Sequence, residues 1–577
     1  MLKKLSGWLL LATTGMAFAE AKLEVSVEPA SKALKENIEA YIGDLEDRDA
    51  EALRRYERAV KAQVEQASQA LGYYHAEIST EVVEGDKPTL KVKVQRGQPV
   101  RLGVVNIEVR GPAAELKAFQ FEPEPKLEPG ARLDHSLYEG RKSDIQNAAL
   151  RLGFFQGKFI EHALVIDPAA NLADIHLVFD SGPRYLLGEV FFNDDSKINQ
   201  DLLQRLVPFK AGEPYNSARV AKLTQNLQET GYFADVRVDA SDKNASSTHI
   251  IPVQVTALPA KPRTMGVGFG YSTDVGVRGR FSWERHRVNR AGHKYGFDAE
   301  LSAPRQNVTT WYQIPLTSPL SDHLRFFGGY ERRELIDADT ERATLGLQWQ
   351  KQVKWDWQRI VGLRYEQEKF DFGGNTKKRT TEFLMPSVVF SKLKSDSPLD
   401  PSHGYRAQLD VRMAREGFLA DADLVYVNAL VKGLTTVADR HRFLGRFEIG
   451  AIDSNNYDKV PPSMRFFAGG DQSIRGYAFE TLSPRDAEGN RIGGRYLLAT
   501  SAEYQYGITD KWRVATFVDH GNSVDSWSDS MKTSAGIGVR WVSPIGPLRL
   551  DYAQPINDKD KGWRIHFSIG LELLRVS

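Results

Sequence analysis

The sequence predicts three α+β modules followed by an all-β, sixteen-stranded, transmembrane antiparallel barrel. In the first half, a glycine followed by an aromatic pair recurs at Gly72, Gly153 and Gly231, spacings of 81 and 78 residues. From about Lys261 onward this pattern stops. Segments of alternating apolar and polar residues then recur between turn residues, which is typical of a membrane-spanning β-barrel.

The composition excludes several classes of protein. The 577 residues include 76 Lys and Arg against 75 Asp and Glu, so the net charge is +1. No basic excess is available to neutralise a phosphate backbone, and nucleic acid is not an expected partner. The chain has no cysteine, which rules out disulfides, cysteine-bound zinc and thiol catalysis.

The first 19 residues predict a signal peptide. Lys3 and Lys4 precede the mostly apolar stretch 5–16, and Ala17-Phe18-Ala19 resembles a cleavage site. A basic, then apolar, then small-residue order is typical of an export signal rather than of a short buried helix. We therefore expect residues 1–19 to direct export in a bacterial envelope.

Each unit of the repeat predicts a helix, a glycine that ends it, and a strand that begins at the aromatic pair. Before Gly231, for example, Val220, Leu223 and Leu227 form one helical stripe. A glycine after a helix adopts the left-handed conformation without a Cβ penalty. The predicted modules are 20–98, 99–184 and 185–260, each with a small mixed sheet and two helices. The alternative is three unrelated α+β domains.

Residues 261–577 predict the barrel. Val267, Phe269 and Tyr271 alternate with three glycines, so an apolar row can face lipid while small or polar residues face a lumen. A soluble barrel would place its apolar row inside. We count sixteen such segments between residues 264 and 573. An even number returns both ends to the periplasmic side; the alternative is a soluble multi-sheet protein.

Two separated motifs suggest a loop held inside this barrel. Residues 465–477 end in Arg475-Gly476-Tyr477, and residues 517–521 read Phe-Val-Asp-His-Gly. The two-residue period of a strand places Phe517, Asp519 and Gly521 on one face. A buried carboxylate at Asp519 needs a cation, and the planar guanidinium of Arg475 can bind it with two hydrogen bonds.

These motifs resemble the sixth extracellular loop and the thirteenth strand of outer-membrane barrels that carry periplasmic POTRA repeats. The turn 397–404 and the stretch 536–555 are also similar to that superfamily. The resemblance implies three POTRA repeats and a loop lock, with Glu503 on the twelfth strand as a second acceptor. The alternative is that the charges of this lock are ordinary lumen charges. The implied lock residues are Arg475, Gly476, Tyr477, Glu503, Asp519, Phe517 and Gly521.

A second candidate site is the seam between the first and last strands. Glycine weakens a strand, so this seam could open sideways and accept a client strand by β-augmentation. The alternative is a first strand curved by small lumen residues. Many members of the superfamily end in an aromatic residue, whereas this chain ends in Ser577. The predicted seam residues are Gly266, Gly268 and Gly270 with Ile569, Gly570 and Leu571.

No serine-esterase elbow and no zinc helix motif is present in the sequence. We therefore expect neither an enzyme nor a metal or other cofactor. The resemblance implies a Gram-negative outer-membrane insertase whose clients are autotransporters and other β-barrels. Three modules and sixteen strands resemble the TamA-type members, which implies a TamB-like, inner-membrane-anchored periplasmic partner. The alternatives are a secretion pore and an outer-membrane anchor for a TamB-like lipid-transport bridge.

Two basic stretches lie in predicted connections. Residues 377–379, Lys-Lys-Arg, predict an extracellular loop that either contacts outer-membrane lipid or is a solvated charge run. Residues 285–293 predict a periplasmic turn, in which His286 and His293 are not expected to bind metal.

Overall fold

The computed structural model describes residues 21–45, 48–85, 87–194, 197–373, 378–543, 546–558 and 562–569. The predicted signal peptide, Lys377, Gly570 and Leu571 lie outside these residues. The chain divides into two compact units, which are described separately. The first contains residues up to 190 with 209–221 and 239–253, and the second contains 191–208, 222–238 and 254–577.

The first module places two helices on a mixed three-stranded sheet. Its strand order is β1-β3-β2, with β1 parallel and β2 antiparallel to β3. Both helices begin at capping side chains, since Ser31 accepts a hydrogen bond from the Leu34 amide and Asp49 accepts one from the Ala52 amide. The elements are β1 Lys22–Glu28, α1 Lys32–Ile42, α2 Ala50–Ala70, β2 Glu77–Val83 and β3 Thr89–Gln95.

The second module repeats this sheet with one α-helix instead of the two predicted. Two single 3₁₀ turns, Lys117–Phe119 and Pro125–Leu127, stand where the other helix was expected. Pro123 and Pro125 explain the difference, because proline lacks the N–H that would continue a helix. Strand order is β4-β6-β5. The regular elements are β4 Arg101–Arg110, α3 His135–Leu152, β5 Lys158–Asp167 and β6 Leu172–Asp180.

The third module has the same strand order, β7-β9-β8. The predicted glycines do follow the helices: Gly153 has the left-handed φ of 86° after α3, and Gly231 has φ 70° after α5. No helix in the described part of the chain is long and apolar enough to cross a membrane. The elements are β7 Leu186–Asp194, α4 Gln200–Gln204, α5 Ser217–Glu229, β8 Phe233–Asp239 and β9 Ile250–Pro259.

The prediction that the aromatic pairs begin strands is wrong for the first two modules. Strands β2 and β5 begin at Glu77 and Lys158, several residues after the pairs. Tyr73 and Phe154 lie in the preceding turns with their rings almost fully buried. Burying a large aromatic ring is strongly favourable, so these rings anchor the turn between helix and strand before the strand begins.

The barrel is closed and has sixteen strands, as predicted from the alternating segments. Every neighbouring pair runs antiparallel, and most pairs share eight or more directly opposed residues. The strands are β10 Arg263–Ser272, β11 Gly276–Arg285, β12 Lys294–Ser302, β13 Arg305–Pro315, β14 Asp322–Glu334, β15 Ala338–Gln352, β16 Gln358–Phe372, β17 Arg379–Ser395, β18 His403–Ala414, β19 Leu424–Val437, β20 His441–Ser454, β21 Tyr496–Gly507, β22 Trp512–Val524, β23 Lys532–Ser543, β24 Gly546–Pro555 and β25 Arg564–Ile569.

The two faces of the barrel wall differ as a membrane barrel requires. Apolar residues such as Phe269 (86% exposed) and Leu345 point outward, whereas Asp519 and Arg540 are buried on the inner face. A soluble barrel would show the opposite arrangement. The lumen of this barrel is therefore polar and its outer surface is apolar.

Candidate functional site: the barrel loop and the strand seam

The long connection between β20 and β21, residues 455–495, folds back against the inner wall of the barrel. Its backbone pairs with itself at Phe466–Gly494 and at Ala468–Leu482. The loop brings its own apolar side chains to the wall, which explains why so polar a lumen contains an apolar cluster. The buried members include Met464, Phe466, Ile474 and Leu482 of the loop and Phe383, Met385, Leu424, Ile452 and Leu497 of the strands.

Arg475 lies near the tip of this loop and binds Asp519 on β22 through three donors. Its Nε and Nη2 donate to Asp519 Oδ2 and Oδ1 at 2.8 and 2.9 Å, and its backbone N–H donates to Oδ2 at 3.0 Å. Ser501 also donates to Oδ1 at 2.6 Å. Arg475 is 6% exposed and Asp519 is 0% exposed. This is the paired, fully hydrogen-bonded arrangement that a buried carboxylate needs.

The Arg475–Asp519 pair belongs to a larger ionic network. Arg475 Nη1 donates to Glu503 Oε2 at 2.7 Å and lies 3.5 Å from Asp551 Oδ2. Arg540 on β23 joins the same two carboxylates, at 2.8 Å to Glu503 and 2.6 Å to Asp551. Two guanidinium groups thus serve three carboxylates, a net charge of −1 (+2 − 3). Strands β21, β22, β23 and β24 all contribute to holding one loop arginine.

Phe517 contacts the Arg475 guanidinium directly, and two glycines allow the loop and the barrel strands to approach each other closely. The Arg475 guanidinium carbon lies 3.4 Å from the centre of the Phe517 ring, a cation–π contact. Gly476 has φ +95°, and a Cβ there would lie 3.1 Å from Ser534 Cβ. At Gly521, with φ +149°, a Cβ would collide with the backbone oxygen of Leu498. Both positions therefore require glycine.

Tyr477 is buried in the loop tip and joins its two sides through a backbone hydrogen bond. Its ring is buried, and its carbonyl oxygen accepts a hydrogen bond from the Gly470 amide at 3.1 Å. Its hydroxyl has no hydrogen-bond partner among the described residues. Tyr477 therefore contributes burial and backbone geometry to the tip.

The structure brings together four of the five side chains predicted for the lock, Arg475, Glu503, Phe517 and Asp519, while Tyr477 is buried beside them in the loop tip. Sequence reasoning missed Arg540 and Asp551, which complete the network. Both occupy the polar, lumen-facing row of their strands. The alternation of polar and apolar residues along β23 and β24 was the sequence pattern that could have indicated that they face the lumen. Because the lumen contains many polar residues on the same row, the period alone does not show which of them meet the loop.

The seam between the first and last strands is short in the described residues. Strand β10 opposes β11 at ten positions but β25 at one, Ser272 opposite Ser568. Among the described residues, hydrogen bonds also join the turn after β10 to β25: the Thr273 amide donates to Phe567 O at 3.1 Å, and the Phe567 amide donates to Thr273 Oγ1 at 3.2 Å.

The loop also touches both sides of this seam. Asp274, in the turn after β10, accepts a hydrogen bond from the Asp471 amide of the loop at 2.6 Å. The Gly476 amide donates to His566 Nε2 on β25 at 3.3 Å. The opposite ring nitrogen, Nδ1, then carries the ring proton and lies 3.5 Å from Asp274 Oδ1. We call Asp274, Asp471, Gly476 and His566 the seam clasp. Gly476 was predicted as a lock residue, whereas Asp274, Asp471 and His566 were not predicted as site residues.

Of the predicted seam residues, three lie on β10, one lies on β25 and two lie outside the described residues. Gly266, Gly268 and Gly270 lie on the lumen row of β10. A Cβ at Gly266 or Gly270 would come within 3 Å of a β11 side chain, whereas a Cβ at Gly268 would sit 3.8 Å from Arg280 Cβ. Ile569 opposes Leu548 of β24. Gly570 and Leu571 lie outside the described residues.

Two connections at the periplasmic end carry specific contacts. In the turn 397–404, Asp400 binds Arg513 at 2.6 Å and Arg442 at 2.8 Å. Burial raises the pKa of Asp400, but hydrogen bonds from these two guanidinium groups outweigh it, and the net pKa lies below the ordinary aspartate value. The turn is thus fastened to β20 and β22.

The predicted periplasmic turn 285–293 is packed against residues of the third module that belong to the same compact unit. Tyr232 donates its hydroxyl hydrogen to Gly292 O at 2.7 Å, and the Asn199 amide donates to Arg290 O at 2.9 Å. Burial raises the pKa of Tyr232 to about 12. In the basic stretch at the opposite end of the barrel, Lys378 lies 3.5 Å from Glu341.

Comparison with known proteins places this architecture in a family. The Omp85 superfamily domain model matches residues 230–573. A model described as the first domain of TamA POTRA domains matches 24–96, and a POTRA model described as a surface antigen variable number repeat matches 185–256.

The sequence is also similar to curated outer-membrane proteins. The outer membrane protein assembly factor BamA of Nitratidesulfovibrio vulgaris is 26% identical over 69% of this chain, and that of Neisseria meningitidis serogroup B is 21% identical over 84%. The matches cover 53% and 68% of those two proteins, so the chain spans about half the length of the first.

The crystal structure of Haemophilus ducreyi BamA lacking POTRA domains 1–3 matches 81% of this chain and 99% of its own, with a TM-score of 0.65 and 16% identity. That likeness is one of fold. Together with the family model that covers more than half of the residues, it accounts for the barrel, the folded-in loop and the N-terminal modules. The chain belongs to the Omp85 superfamily, as an outer-membrane β-barrel with POTRA domains in the periplasm.

Proposed function

We propose that this protein is an outer-membrane insertase that assembles autotransporters and other β-barrel proteins by strand templating at the seam between β10 and β25. The observation that carries the proposal is that the folded-in loop contacts both sides of this seam, at Asp274 after β10 and at His566 on β25. An exposed strand edge offers N–H and C=O groups to an incoming strand. A client strand that pairs with β10 would gain these hydrogen bonds.

The loop lock supports this proposal as a structural device without bond-changing chemistry. Arg475 and its carboxylates hold the loop in the lumen, and the seam clasp links that loop to both seam strands. We infer that loop position and seam closure are coupled, and that the protein acts without enzymatic catalysis, metal or other cofactor.

Within the superfamily, we propose a TamA-type role with a TamB-like, inner-membrane-anchored periplasmic partner. The match of the first module to the TamA model supports this assignment, as do three modules, fewer than the five expected of a general insertase. The named relatives are assembly factors, which supports protein assembly in the outer membrane. We propose that the modules receive the partner and unfolded clients.

The test uses the absence of cysteine from the chain. Gly268→Cys places a thiol on the first strand, where the added Cβ meets only ordinary contacts. A second cysteine is placed in the final strand of a client autotransporter barrel, and disulfide crosslinks are measured during client assembly in cells. The matched control is Asn428→Cys, a lumen-facing position on β19.

A crosslink at position 268 without one at position 428 is expected. Crosslinks at position 428 alone would instead favour the second candidate, a secretion pore, to which a lumen cavity of about 950 Å³ lends support. Normal client assembly with no crosslink at either position would contradict insertion at the seam. It would favour the role of an anchor for a TamB-like lipid bridge.

A further inference from the structure

A row of three cations crosses the lumen wall on strands β18, β19 and β20. Arg406 directly opposes Lys432, and Lys432 directly opposes Arg446. Like charges in directly opposed positions of neighbouring strands repel. A protein that retains such a row in its interior needs negative charge close by.

The described residues supply little of that negative charge. Arg446 pairs with Glu448 at 2.7 Å, and Arg406 donates to the neutral side chain of Gln408 at 2.9 Å. Lys432 has no hydrogen bond or ion pair within the described part of the chain. The charged side chains that act on it most strongly include Arg446, the carboxylate of Glu448, Arg549 and Arg406.

Arg549 on β24 faces the same part of the lumen as Lys432, and one of its donors also lacks a hydrogen-bond acceptor among the described residues. Its Nε and that of Arg446 are buried N–H donors for which the described residues provide no acceptor. Buried donors are normally satisfied, so two unsatisfied guanidinium donors beside an unpaired ammonium group indicate a missing acceptor. An anion that enters from the lumen would supply acceptors to all three cations at once.

A cavity of about 80 Å³ lies between these groups, beneath the loop tip. Its cationic lining is Lys432, Arg446, Arg475 and Arg549, and its carboxylates are Asp471 and Glu503. Arg475 is bound to Asp519, and Arg446 is paired with Glu448. Glu503 is already bound by Arg475, Arg540 and Gln505. The free donors therefore come from Lys432, Arg446 and Arg549.

We propose that this cavity is a binding site for a phosphate group, with Lys432, Arg446 and Arg549 as its ligands. Guanidinium donors match phosphate oxygens in geometry. Lys432 and Arg549 form no ion pair among the described residues, so they offer two positive charges to a dianion. Free inorganic phosphate and the headgroup of an anionic phospholipid present the same chemistry. This proposal goes beyond the insertase role, and phosphate binding is measured without any client protein, so the two can fail separately.

The experiment measures ³¹P line broadening of inorganic phosphate by the full barrel protein in a phosphate-free maltoside detergent. Saturable broadening is expected. Lys432→Gln combined with Arg549→Gln should weaken binding by at least about tenfold, since each removes charge-assisted hydrogen bonds. Lys432→Gln alone should weaken it less. The matched control, Arg278→Gln with Arg280→Gln on β11, removes the same charge from a strand that does not line this cavity and should leave binding unchanged.

A second arm adds short-chain phosphatidylglycerol or zwitterionic phosphatidylcholine as competitor. Displacement by phosphatidylglycerol alone shows that an anionic lipid headgroup can occupy the site, whereas lack of displacement by both identifies free phosphate as the ligand. Non-saturable broadening, or equal binding by the double variant and wild type, overturns the proposal. Mobility of unheated samples on gels verifies that each variant barrel is folded.

Discussion

His566 Nδ1 lies 3.5 Å from Asp274 Oδ1, and the two residues stand on opposite sides of the barrel seam. Each also accepts a hydrogen bond from the backbone of the same loop, from Gly476 and Asp471 respectively. The loop whose arginine is held by strands β21 to β24 is therefore also joined to the two strands that separate in the proposed mechanism. This connection gives the first prediction.

Asp274→Asn should loosen the seam, because the neutral amide loses the charge-assisted hydrogen bond from the loop and the attraction to His566. We expect the distance distribution between spin labels at Val275 and Trp563 to broaden. Asp337→Asn is the matched control, since Asp337 binds loop residue Arg491 at 2.7 Å at a different part of the barrel. Equal broadening in both variants would contradict a specific role of the clasp.

Arg475→Ala should destabilise the loop strongly. It removes one of two cations that serve three buried carboxylates, and breaking a buried ion pair typically costs about 3–5 kcal/mol. Arg475→Lys should also fail to restore stability, because an ammonium group cannot reproduce the two-pronged contact with Asp519. Melting temperature and protease cleavage of residues 455–495 provide the measurement.

The control for the arginine variants is Arg415→Ala, whose side chain is largely exposed and lies 3.6 Å from Asp423. Exposed ion pairs contribute about 0–1 kcal/mol, so its melting temperature should stay near wild type. If Arg475→Ala and Arg415→Ala behaved alike, the network around Asp519 would not hold the loop.

A disulfide between Ser272→Cys and Ser568→Cys should block client assembly until reductant is added. Directly opposed residues of antiparallel strands lie about 4.5–5.5 Å apart at Cα, within the range of a disulfide. The pair Ala429→Cys and Ile449→Cys, on the paired strands β19 and β20, is the matched control. Undiminished assembly by the oxidised seam variant would refute opening between β10 and β25.

The contact of Tyr232 with Gly292 should weaken at alkaline pH. The folded pKa, about 12, exceeds the ordinary value of 10, so burial favours the protonated form. Its stabilisation is fully present below pH 10 and is lost as pH rises towards 12. Melting temperature measured across this range should fall less in Tyr232→Phe, which lacks the titrating group; identical pH dependence would exclude this contribution. At neutral pH this variant should lose about 1 kcal/mol, the net value of one hydrogen bond.

The parts of the fold that depend on local pattern could be predicted from the sequence. Alternation along each strand gives the sixteen-stranded barrel, and a glycine after each helix marks the module repeat. The start of β2 could not be located in this way, because burial of Tyr73 keeps the chain in a turn until Glu77. The sequence shows that Tyr73 is aromatic, but it does not show the buried core of the first module into which the ring packs.

The candidate site divides in the same way. Arg475 and Asp519 carry motifs in sequence, so their pairing could be predicted. Arg540 and Asp551 are ordinary members of alternating strands, and their role depends on barrel closure that brings β23 and β24 beneath the loop. Asp274 and His566 meet only because the first and last strands become neighbours, a relationship that no local pattern encodes.

The positions of the loop partners along the chain bear on how the barrel forms. Glu503, Asp519 and Asp551 follow Arg475 by 28, 44 and 76 residues, whereas the Phe567 to Thr273 contact spans 294 residues. Contacts of short sequence separation cost less loop-closure entropy and form sooner. We therefore expect strands β21 to β24 to assemble around the loop as a unit. The loop would then be in place before the first and last strands of the barrel pair.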